Sequence, residues 1–156
     1  MPLIRAATVP DIPELVRLRA LLFAGLGDHG WGAPPSGEEW RRACADALGE
    51  RLTDDSAKIL VIDGDAGLAA CGIGTIDRRL PSPYTPSGLI GHVYGVVTDP
   101  AYRRRGHSRS IMHGLLDWFT ERGIRRVDLT ASPDGEPLYR SLGFTEHPDP
   151  TLSRKR

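Results

Sequence analysis

The sequence is short of the features that mark several large classes of protein. Its 156 residues include two cysteines, Cys44 and Cys71, which are far apart, have no metal-ligand spacing and are expected to be small buried apolar side chains. The formal net charge is zero, so no overall field favours nucleic acid or a membrane surface. No apolar run approaches the length of a membrane span, and the N-terminus lacks the apolar core of a secretory signal. We therefore expect a cytoplasmic protein that binds no metal, nucleic acid or membrane.

Two common phosphate-binding patterns are missing from the places where they would bind phosphate. The sequence has no P-loop G-x-x-x-x-G-K-[ST], and its one G-x-G-x-x-G string, Gly25–Gly30, follows a predicted helix and not a strand, so it is not a dinucleotide fingerprint. The sequence has instead a basic glycine turn between an apolar stretch, Leu89–Val97, and an amphipathic stretch, His107–Arg122. A strand, a glycine turn and a helix in this order bring unpartnered backbone N–H groups and the positive end of a helix dipole to one point. Gly106 has no Cβ and lets an anion approach the backbone, so we expect a phosphate site here.

This turn resembles a known cofactor loop. Residues 103–108 read Arg-Arg-Arg-Gly-His-Ser, which is similar to the [Arg or Gln]-x-x-Gly-x-small pyrophosphate loop of the GNAT superfamily, the acetyl-CoA-dependent N-acetyltransferases. Residues 138–144 match a second signature of that family, Leu-Tyr-x-x-x-Gly-Phe, at the expected distance downstream. The chain departs from the family pattern in having Ser108 where Gly or Ala is usual and Ser132 where many members carry Asn.

The order of predicted elements indicates a mixed α/β fold. Periodicity and turn signals predict strands over 3–6, 58–62, 68–76, 89–97, 127–130 and from Phe144, and helices over about 8–25, 36–49 and 107–122 and around Tyr139. Ser36 to Glu39 form the capping box of the second helix, and Gly25 to Pro35 form a loop. The resemblance implies one GNAT-like domain over residues 1–156: a strongly twisted mixed sheet, helices on both faces, and a splay between the fourth and fifth strands that holds the cofactor arm.

The resemblance also implies acetyl-CoA as cosubstrate and indicates the residues that would hold it. Backbone N–H groups of residues 104–109 would bind the pyrophosphate, and the neighbouring arginines would add charge-assisted contacts. The end of the central strand would pair with the pantetheine arm as an additional strand. The cofactor-binding candidates are Val96, Val97, Thr98, Arg103, Arg104, Arg105, Gly106, His107, Ser108, Arg109 and Ser132.

Acyl transfer to an amine needs a polarised carbonyl, a neutral amine and a proton for the leaving thiolate. Tyr139 matches the family tyrosine near the thioester sulfur, and an ordinary tyrosine pKa near 10 keeps the hydroxyl protonated, as a general acid requires. His92 lies on the same face of the central strand as Tyr94 and is a candidate proton acceptor; Glu38, Glu39 and Asp77 are other candidates for that role. A strand histidine whose ring nitrogens bond to backbone neighbours is an equally good interpretation.

The sequence does not identify the amine that accepts the acetyl group. Small-molecule and protein amines are both possible, as is a homodimer, and direct transfer in a ternary complex needs no covalent enzyme intermediate. Candidate residues of the acceptor pocket are Glu38, Glu39, Asp77, Asp134, Trp31 and Trp40. The alternative function is a non-catalytic acyl-CoA-binding or sensing module, which would use the same glycine turn without depending on Tyr139.

Overall fold

The computed structural model describes residues 3–26 and 37–156. The strands are β1 (Ile4–Ala6), β2 (Ala57–Gly64), β3 (Gly67–Arg78), β4 (Leu89–Thr98) and β5 (Val127–Leu129). The helices are α1 (Ile12–Leu26), α2 (Glu39–Leu52), α3 (His107–Glu121) and α4 (Glu136–Ser141), and single 3₁₀ turns span Val9–Asp11 and Pro100–Tyr102.

The five strands form one sheet in the order β1-β2-β3-β4-β5. The first three pairings are antiparallel, and β4 pairs with β5 in parallel. This last pairing is short, because only Gly91–Val93 of β4 have partners in β5. Within the described residues, the remainder of β4 up to Thr98 runs on without β5. The expected splay between the fourth and fifth strands is therefore confirmed.

Helices cover both faces of the sheet, as the mixed α/β order predicts. Alternate residues of β2 face opposite sides, so that Leu60 and Ile62 pack in the cluster that contains α3, whereas Ile59 and Val61 pack in the cluster that contains α1 and α2. The α3 side of the core is built from Ile111, Met112, Leu115, Trp118 and Phe119. This two-sided burial fixes β4 in the interior of the molecule.

A β-bulge changes the direction of the last part of β4. Cys71 pairs with Val97 and Ile73 pairs with Tyr94, so Gly95 and Val96 together oppose a single residue of β3. Gly95 has a φ of 65°, which favours glycine because a side chain would be strained there. Bulges bend a strand and increase its twist, and this one lies where β4 has left β5.

The structure corrects two helix boundaries. The first helix begins with a 3₁₀ turn, which is closed by the predicted capping interaction between Thr8 and Asp11. The second helix continues past Gly49 to Leu52, because Leu48 is buried and Leu52 packs against the same cluster. This packing offsets the cost of about 1 kcal/mol for a glycine inside a helix. The predicted cap at Ser36 lies outside the described residues.

The predicted strand from Phe144 is wrong. The described chain forms no strand after β5. Phe144 packs against the core and meets the ring of Tyr139 edge-on, with the centroids 6.1 Å apart. Pro148 and Pro150 follow within a few residues, and proline cannot donate a hydrogen bond to a strand ladder. The apolar residue that suggested a strand is therefore an anchor for the chain after α4.

Candidate active site

The turn between β4 and α3 presents a row of free backbone donors. Among the described residues, no hydrogen-bond acceptor faces the backbone N–H groups of residues 104–109, and the first bond of the helix runs from Ser110 N–H to the carbonyl of Gly106. These donors lie at the positive end of the 15-residue helix α3. Gly106 caps the helix with φ 76°, and a Cβ built there meets no atom within 4 Å. The turn can therefore accept an anion against its backbone.

The same turn holds backbone strain. Arg104 has a φ of 65° and is the one residue other than glycine with a positive φ in the described part of the chain. An L-residue in this conformation costs about 1–2 kcal/mol. Strain of this kind persists where the surrounding structure holds it, and it concentrates at functional sites.

Two contacts brace the turn from the β4 side. Asp99 accepts a hydrogen bond from the backbone N–H of Ala101 at 2.9 Å and an ion-paired bond from Arg17 of α1 at 2.6 Å. The hydroxyl of Tyr102 accepts bonds from the backbone N–H groups of Asp65 and Ala66, at 2.9 and 3.2 Å, in the β2–β3 hairpin. The start of the turn is therefore tied to two other parts of the molecule before any ligand binds.

A side-chain clasp closes the turn. The hydroxyls of Thr98 and Ser108 lie 2.8 Å apart and share a hydrogen bond between the end of β4 and the first turn of α3. His107 stands between the glycine and this clasp, and its buried Nδ1 has no hydrogen-bond partner in the described structure. Burial and, to a smaller extent, the charge of Arg105 lower the pKa of His107. Ser108 therefore has a structural partner that a Gly or Ala would lack.

The arginines of the turn are exposed and have different neighbours. The guanidinium of Arg105 stacks over the ring of Tyr102 at 5.5 Å, and Arg109 donates to the hydroxyl of Ser141 in α4 at 3.1 Å. Arg103 and Arg104 are exposed on the loop itself. Their charges surround the free N–H groups, which adds to the attraction for an anion.

Val96 and Val97 follow the bulge in the part of β4 that β5 does not pair. Val96 packs toward α3 and Val97 toward α1, so both side chains belong to the core and leave the backbone edge at the splay. An unpaired strand edge can form main-chain hydrogen bonds with an extended ligand.

Tyr139 lies on α4 and is half-buried. Burial raises the pKa of its hydroxyl above the usual value of 10. No described residue forms a hydrogen bond with that hydroxyl. Ser132 lies near the ring: its Oγ accepts a bond from Gly135 N–H at 3.2 Å, and Gly135 approaches the ring so closely that a Cβ would lie 2.9 Å from Tyr139 Cε2. The turn before α4 therefore positions the tyrosine.

His92 lies between two cavities on β4. The larger, of about 1040 Å³, is formed by the exposed side of β5, α4 and the chain that follows, and Tyr139 also lines it. The smaller, of about 570 Å³, is lined by Arg51, Asp54, Thr75, Asp77, His92 and Tyr94. The ring of His92 stacks on Tyr94 with centroids 5.8 Å apart. The structure thus brings His92 and Tyr139 to one cavity and His92 and Asp77 to the other.

The remaining acceptor candidates are dispersed. Glu38 and Glu39 stand at the start of α2, about 18 Å from Arg51 at 1.5 Å per helical residue. Asp134 is exposed before α4 and lines neither cavity. Trp40 meets Phe23 edge-on at 6.3 Å, which is a packing role between α1 and α2. Trp31 lies outside the described residues.

Sequence reasoning missed three residues of the smaller cavity. Arg51 and Asp54 come from the last turn of α2 and the residues just after it, and Thr75 comes from β3 opposite His92. No local pattern distinguishes them, because each is an ordinary polar residue in an ordinary element. Among the described residues, no group of three or more His, Cys, Asp or Glu side chains could hold a metal ion. None of the described helices is long and apolar enough to span a membrane.

The end of β4 that β5 does not pair can bind an extended ligand, and the free N–H groups of residues 104–109 can bind a phosphate. Together they define a class of protein that binds an extended ligand with a phosphate at one end. The sequence profile of the acetyltransferase (GNAT) family matches residues 26–144. The chain therefore belongs to the GNAT acetyltransferase family and is an acyltransferase.

Relatives of this chain have different acceptors in their names. Glucosamine 6-phosphate N-acetyltransferase 1 of Oryza sativa subsp. japonica is 31% identical over 125 residues, covering 80% of this chain and 73% of that protein. N-alpha-acetyltransferase RimI of Mycobacterium tuberculosis is 32% identical over 142 residues, covering 90% and 77%. A predicted acetyltransferase from Clostridium acetobutylicum, crystallised with acetyl-CoA, has a TM-score of 0.86 at 20% identity over 99% of this chain and 96% of that one.

Proposed function

We propose that this protein transfers the acetyl group of acetyl-CoA directly to a primary amine within a ternary complex. The observation that carries the proposal is the row of six unpartnered backbone N–H groups, residues 104–109, at the N-terminus of α3. The chain belongs to an acetyltransferase family, which supports acetyl-CoA as the ligand of that anion site.

The residues present fit the pyrophosphate and pantetheine of acetyl-CoA. Gly106 leaves open space where a Cβ would stand, so phosphate oxygens can reach the backbone. Arg103, Arg104 and Arg105 supply positive charge around the same turn. The backbone of Val96, Val97 and Thr98 has no β5 partner and can form hydrogen bonds with the pantetheine amides. The cosubstrate supplies an acetyl group as a thioester, which an amine can attack without help from a metal.

In the proposed reaction the acceptor nitrogen loses two protons and the departing sulfur gains one. The first proton leaves when the ammonium form becomes a neutral amine, and the second leaves after the C–N bond has formed and returns to the Tyr139 phenolate, directly or through a water molecule. The acceptor nitrogen attacks the acetyl carbonyl, the C–N bond forms and the C–S bond breaks. Tyr139 donates its phenolic proton to the departing sulfur, which leaves as a thiol. The raised pKa of Tyr139 keeps the hydroxyl protonated through the physiological pH range, so it can donate a proton at these pH values.

His92 is the proposed proton acceptor for the amine. It lies on β4 three residues before the bulge, and it lines both cavities, so an acceptor in either one can reach it. Its neutral imidazole would take a proton from the ammonium form of the acceptor, directly or through a water molecule. Ser132 supports Tyr139 in this arrangement by fixing the turn before α4.

The function is tested with acetyl-CoA and three classes of amine: glucosamine 6-phosphate, a peptide with a free N-terminus, and a simple alkylamine. Thiol release is followed continuously, and mass spectrometry identifies the acetylated amine. Direct transfer predicts that acetyl-CoA alone leaves the intact mass of the protein unchanged. Acetyl-CoA binding by calorimetry without any acetylated product would favour the sensing module instead. Absence of acetyl-CoA binding would refute both.

A further inference from the structure

The smaller cavity contains an arginine with unused donors. Arg51 is half-buried at the end of α2, and its Nε donates to the hydroxyl of Tyr94 at 3.1 Å. In the described part of the chain, its two terminal nitrogens have no hydrogen-bond acceptor and no ion-pair partner within 4.0 Å. An arginine presents its N–H groups as a rigid planar fork that matches the oxygens of a carboxylate or phosphate. The free edge of Arg51 therefore suits an oxyanion.

The carboxylates of the cavity are already engaged. Asp54 Oδ1 accepts bonds from the backbone N–H and the hydroxyl of Ser56, both at 2.8 Å. Asp77 Oδ2 stands 3.8 Å from a terminal nitrogen of Arg79. Neither carboxylate forms a hydrogen bond with Arg51 or an ion pair within 4.0 Å, and the charges of Asp54 and Glu50 act on Arg51 from a greater distance. The negative charge of Asp54 and Asp77 also attracts an ammonium group. The cavity thus offers one unsatisfied cation together with an acidic rim.

The sheet register orders these groups along one face. Tyr94, which holds Arg51, is two residues from His92 on β4, and Asp77 of β3 pairs with Ile90, two residues further along. Each step of two residues is about 7 Å. The imidazole of His92 therefore stands between the guanidinium at one end and the carboxylate of Asp77 at the other. A ligand with an amine and an oxyanion several bonds apart matches this order.

We propose that this cavity binds the acceptor, and that Arg51 selects acceptors that carry an oxyanion in addition to the amine. The proposal rests on the proposed acetyltransferase function and gives that function its substrate class. A phosphate on an amino sugar and the carboxylate of an amino acid share the required chemistry. Arg51 is a specificity-determining residue, and the amine is placed toward His92 and the acidic rim.

Matched acceptor pairs test the proposal. Glucosamine 6-phosphate is compared with glucosamine, and a free amino acid with its amide, in each case by kcat/KM at saturating acetyl-CoA. We expect the anionic member of one pair to be preferred by about tenfold to a hundredfold, the range of a hydrogen bond to a charged group. Arg51→Met should reduce that preference to within about threefold without changing the KM for acetyl-CoA. Arg51→Lys should restore part of the preference, because the charge returns without the fork.

Two control variants separate selection from structural support. Arg42 is an exposed arginine on the same helix outside the cavity, and Arg42→Met should retain the full preference. Tyr94→Phe removes the hydroxyl that holds Arg51 but leaves the guanidinium, so most of the preference should remain. Loss of the preference in Tyr94→Phe and Arg51→Met alike, with none restored by Arg51→Lys, would make Arg51 a structural support and overturn the proposal.

A binding measurement keeps the proposal testable without turnover. Glucosamine 6-phosphate and glucosamine, and the amino acid and its amide, are titrated calorimetrically into the wild-type protein in the presence of CoA. Tighter binding of an anionic probe, lost in Arg51→Met, supports the proposal even if no product forms. Equal affinity within both pairs overturns it. The proposed acetyltransferase function fails by a different result, the absence of acetylated product with every amine.

Discussion

The proposed cofactor turn and the smaller cavity are built in opposite ways. The turn, residues 98–109, is one continuous stretch of chain, and its binding groups are backbone N–H donors. The cavity gathers six side chains from α2 and the residue shortly after it, β3 and β4, which are far apart in sequence. The turn therefore depends on local conformation, whereas the cavity depends on how separate elements pack.

The two regions also differ in how firmly they are held. The turn is braced by Asp99, Tyr102 and the clasp between Thr98 and Ser108 before a ligand arrives. Arg51 in the cavity has a single hydrogen bond, to Tyr94. A site that binds the same ligand throughout a family gains from preorganisation. A site that distinguishes one acceptor from another depends on a few side chains, and these can change without disturbing the turn.

The largest effect is expected at Tyr139, which belongs to neither region but lines the larger cavity beside His92. If the hydroxyl protonates the leaving thiolate, Tyr139→Phe should lower turnover by roughly tenfold to a thousandfold. Affinity for acetyl-CoA should change little, because the ring remains. Stopped-flow thiol release gives the rate, and calorimetry gives the affinity.

Tyr84 provides the matched control for this prediction. It is 95% exposed, and Tyr84→Phe should leave both quantities unchanged.

The raised pKa of Tyr139 also predicts a sign for the pH dependence. The active form is the protonated one, so activity that depends on this hydroxyl persists past pH 10 and is lost only as the pH rises through the raised pKa. Wild-type turnover in Tyr139→Phe, with chemistry limiting the rate, would remove the general-acid role.

Gly106→Val should weaken the binding of acetyl-CoA and leave the binding of the acceptor unchanged. A β-branched residue is strained at φ 76°, and its side chain would occupy the space through which phosphate reaches the backbone. We expect acetyl-CoA affinity to fall by more than about tenfold, or 1.4 kcal/mol, as measured by calorimetry. Affinity for the acceptor probes should remain.

Gly123→Val is the control that distinguishes backbone strain from obstruction of the phosphate site. Gly123 lies just after the same helix with φ 74°, and no atom stands within 4 Å of a Cβ built there. Gly123→Val should therefore cost a similar 1–2 kcal/mol of unfolding free energy without affecting acetyl-CoA affinity. Equal acetyl-CoA affinity in the two folded variants would show that Gly106 is not at the phosphate site.

Ser108→Ala and Ser108→Gly should affect stability more than binding. The change leaves the hydroxyl of Thr98 without its partner at 2.8 Å, which should lower the free energy of unfolding by about 1 kcal/mol. Acetyl-CoA affinity should stay within tenfold, because the backbone does the binding. Ser110→Ala, one half-turn along α3, is the control. A double-mutant cycle with Thr98→Val measures the coupling, and a larger loss of affinity would give the Ser108 hydroxyl a direct role in binding.

The smallest effect concerns the pH dependence of stability. Burial, together with the charge of Arg105, lowers the pKa of His107 below its ordinary value near 6.5. The unfolded chain therefore takes up a proton first, so the stabilising contribution is complete above about pH 6.5 and is lost as the pH falls through the lowered pKa. His107→Leu should flatten this part of the denaturation profile, whereas His113→Leu, exposed on the same helix, should not. Identical profiles for wild type and His107→Leu would contradict the prediction.

Much of the fold could be predicted because its signals are local. The periodicity of α3 and the capping interaction at Thr8 were visible in the sequence, as was the hairpin between β2 and β3. The strand predicted from Phe144 failed because an apolar residue shows that it will be buried, but not whether a neighbouring strand will receive it. The extension of α2 past Gly49 had the same cause, since packing by Leu52 overrides the low helix propensity of glycine.

The sequence by itself determined the family, the glycine turn and the position of Tyr139, because each depends on neighbouring residues whose order is the signal. The tertiary structure decided that Asp99 and Tyr102 brace the turn and that Ser108 reaches Thr98. It also decided which polar residues surround His92. Arg51 and Asp77 are 26 positions apart in the chain and become neighbours of one cavity only when α2 packs on the sheet. Side-chain sites of this kind form through long-range burial, which leaves no local pattern to read.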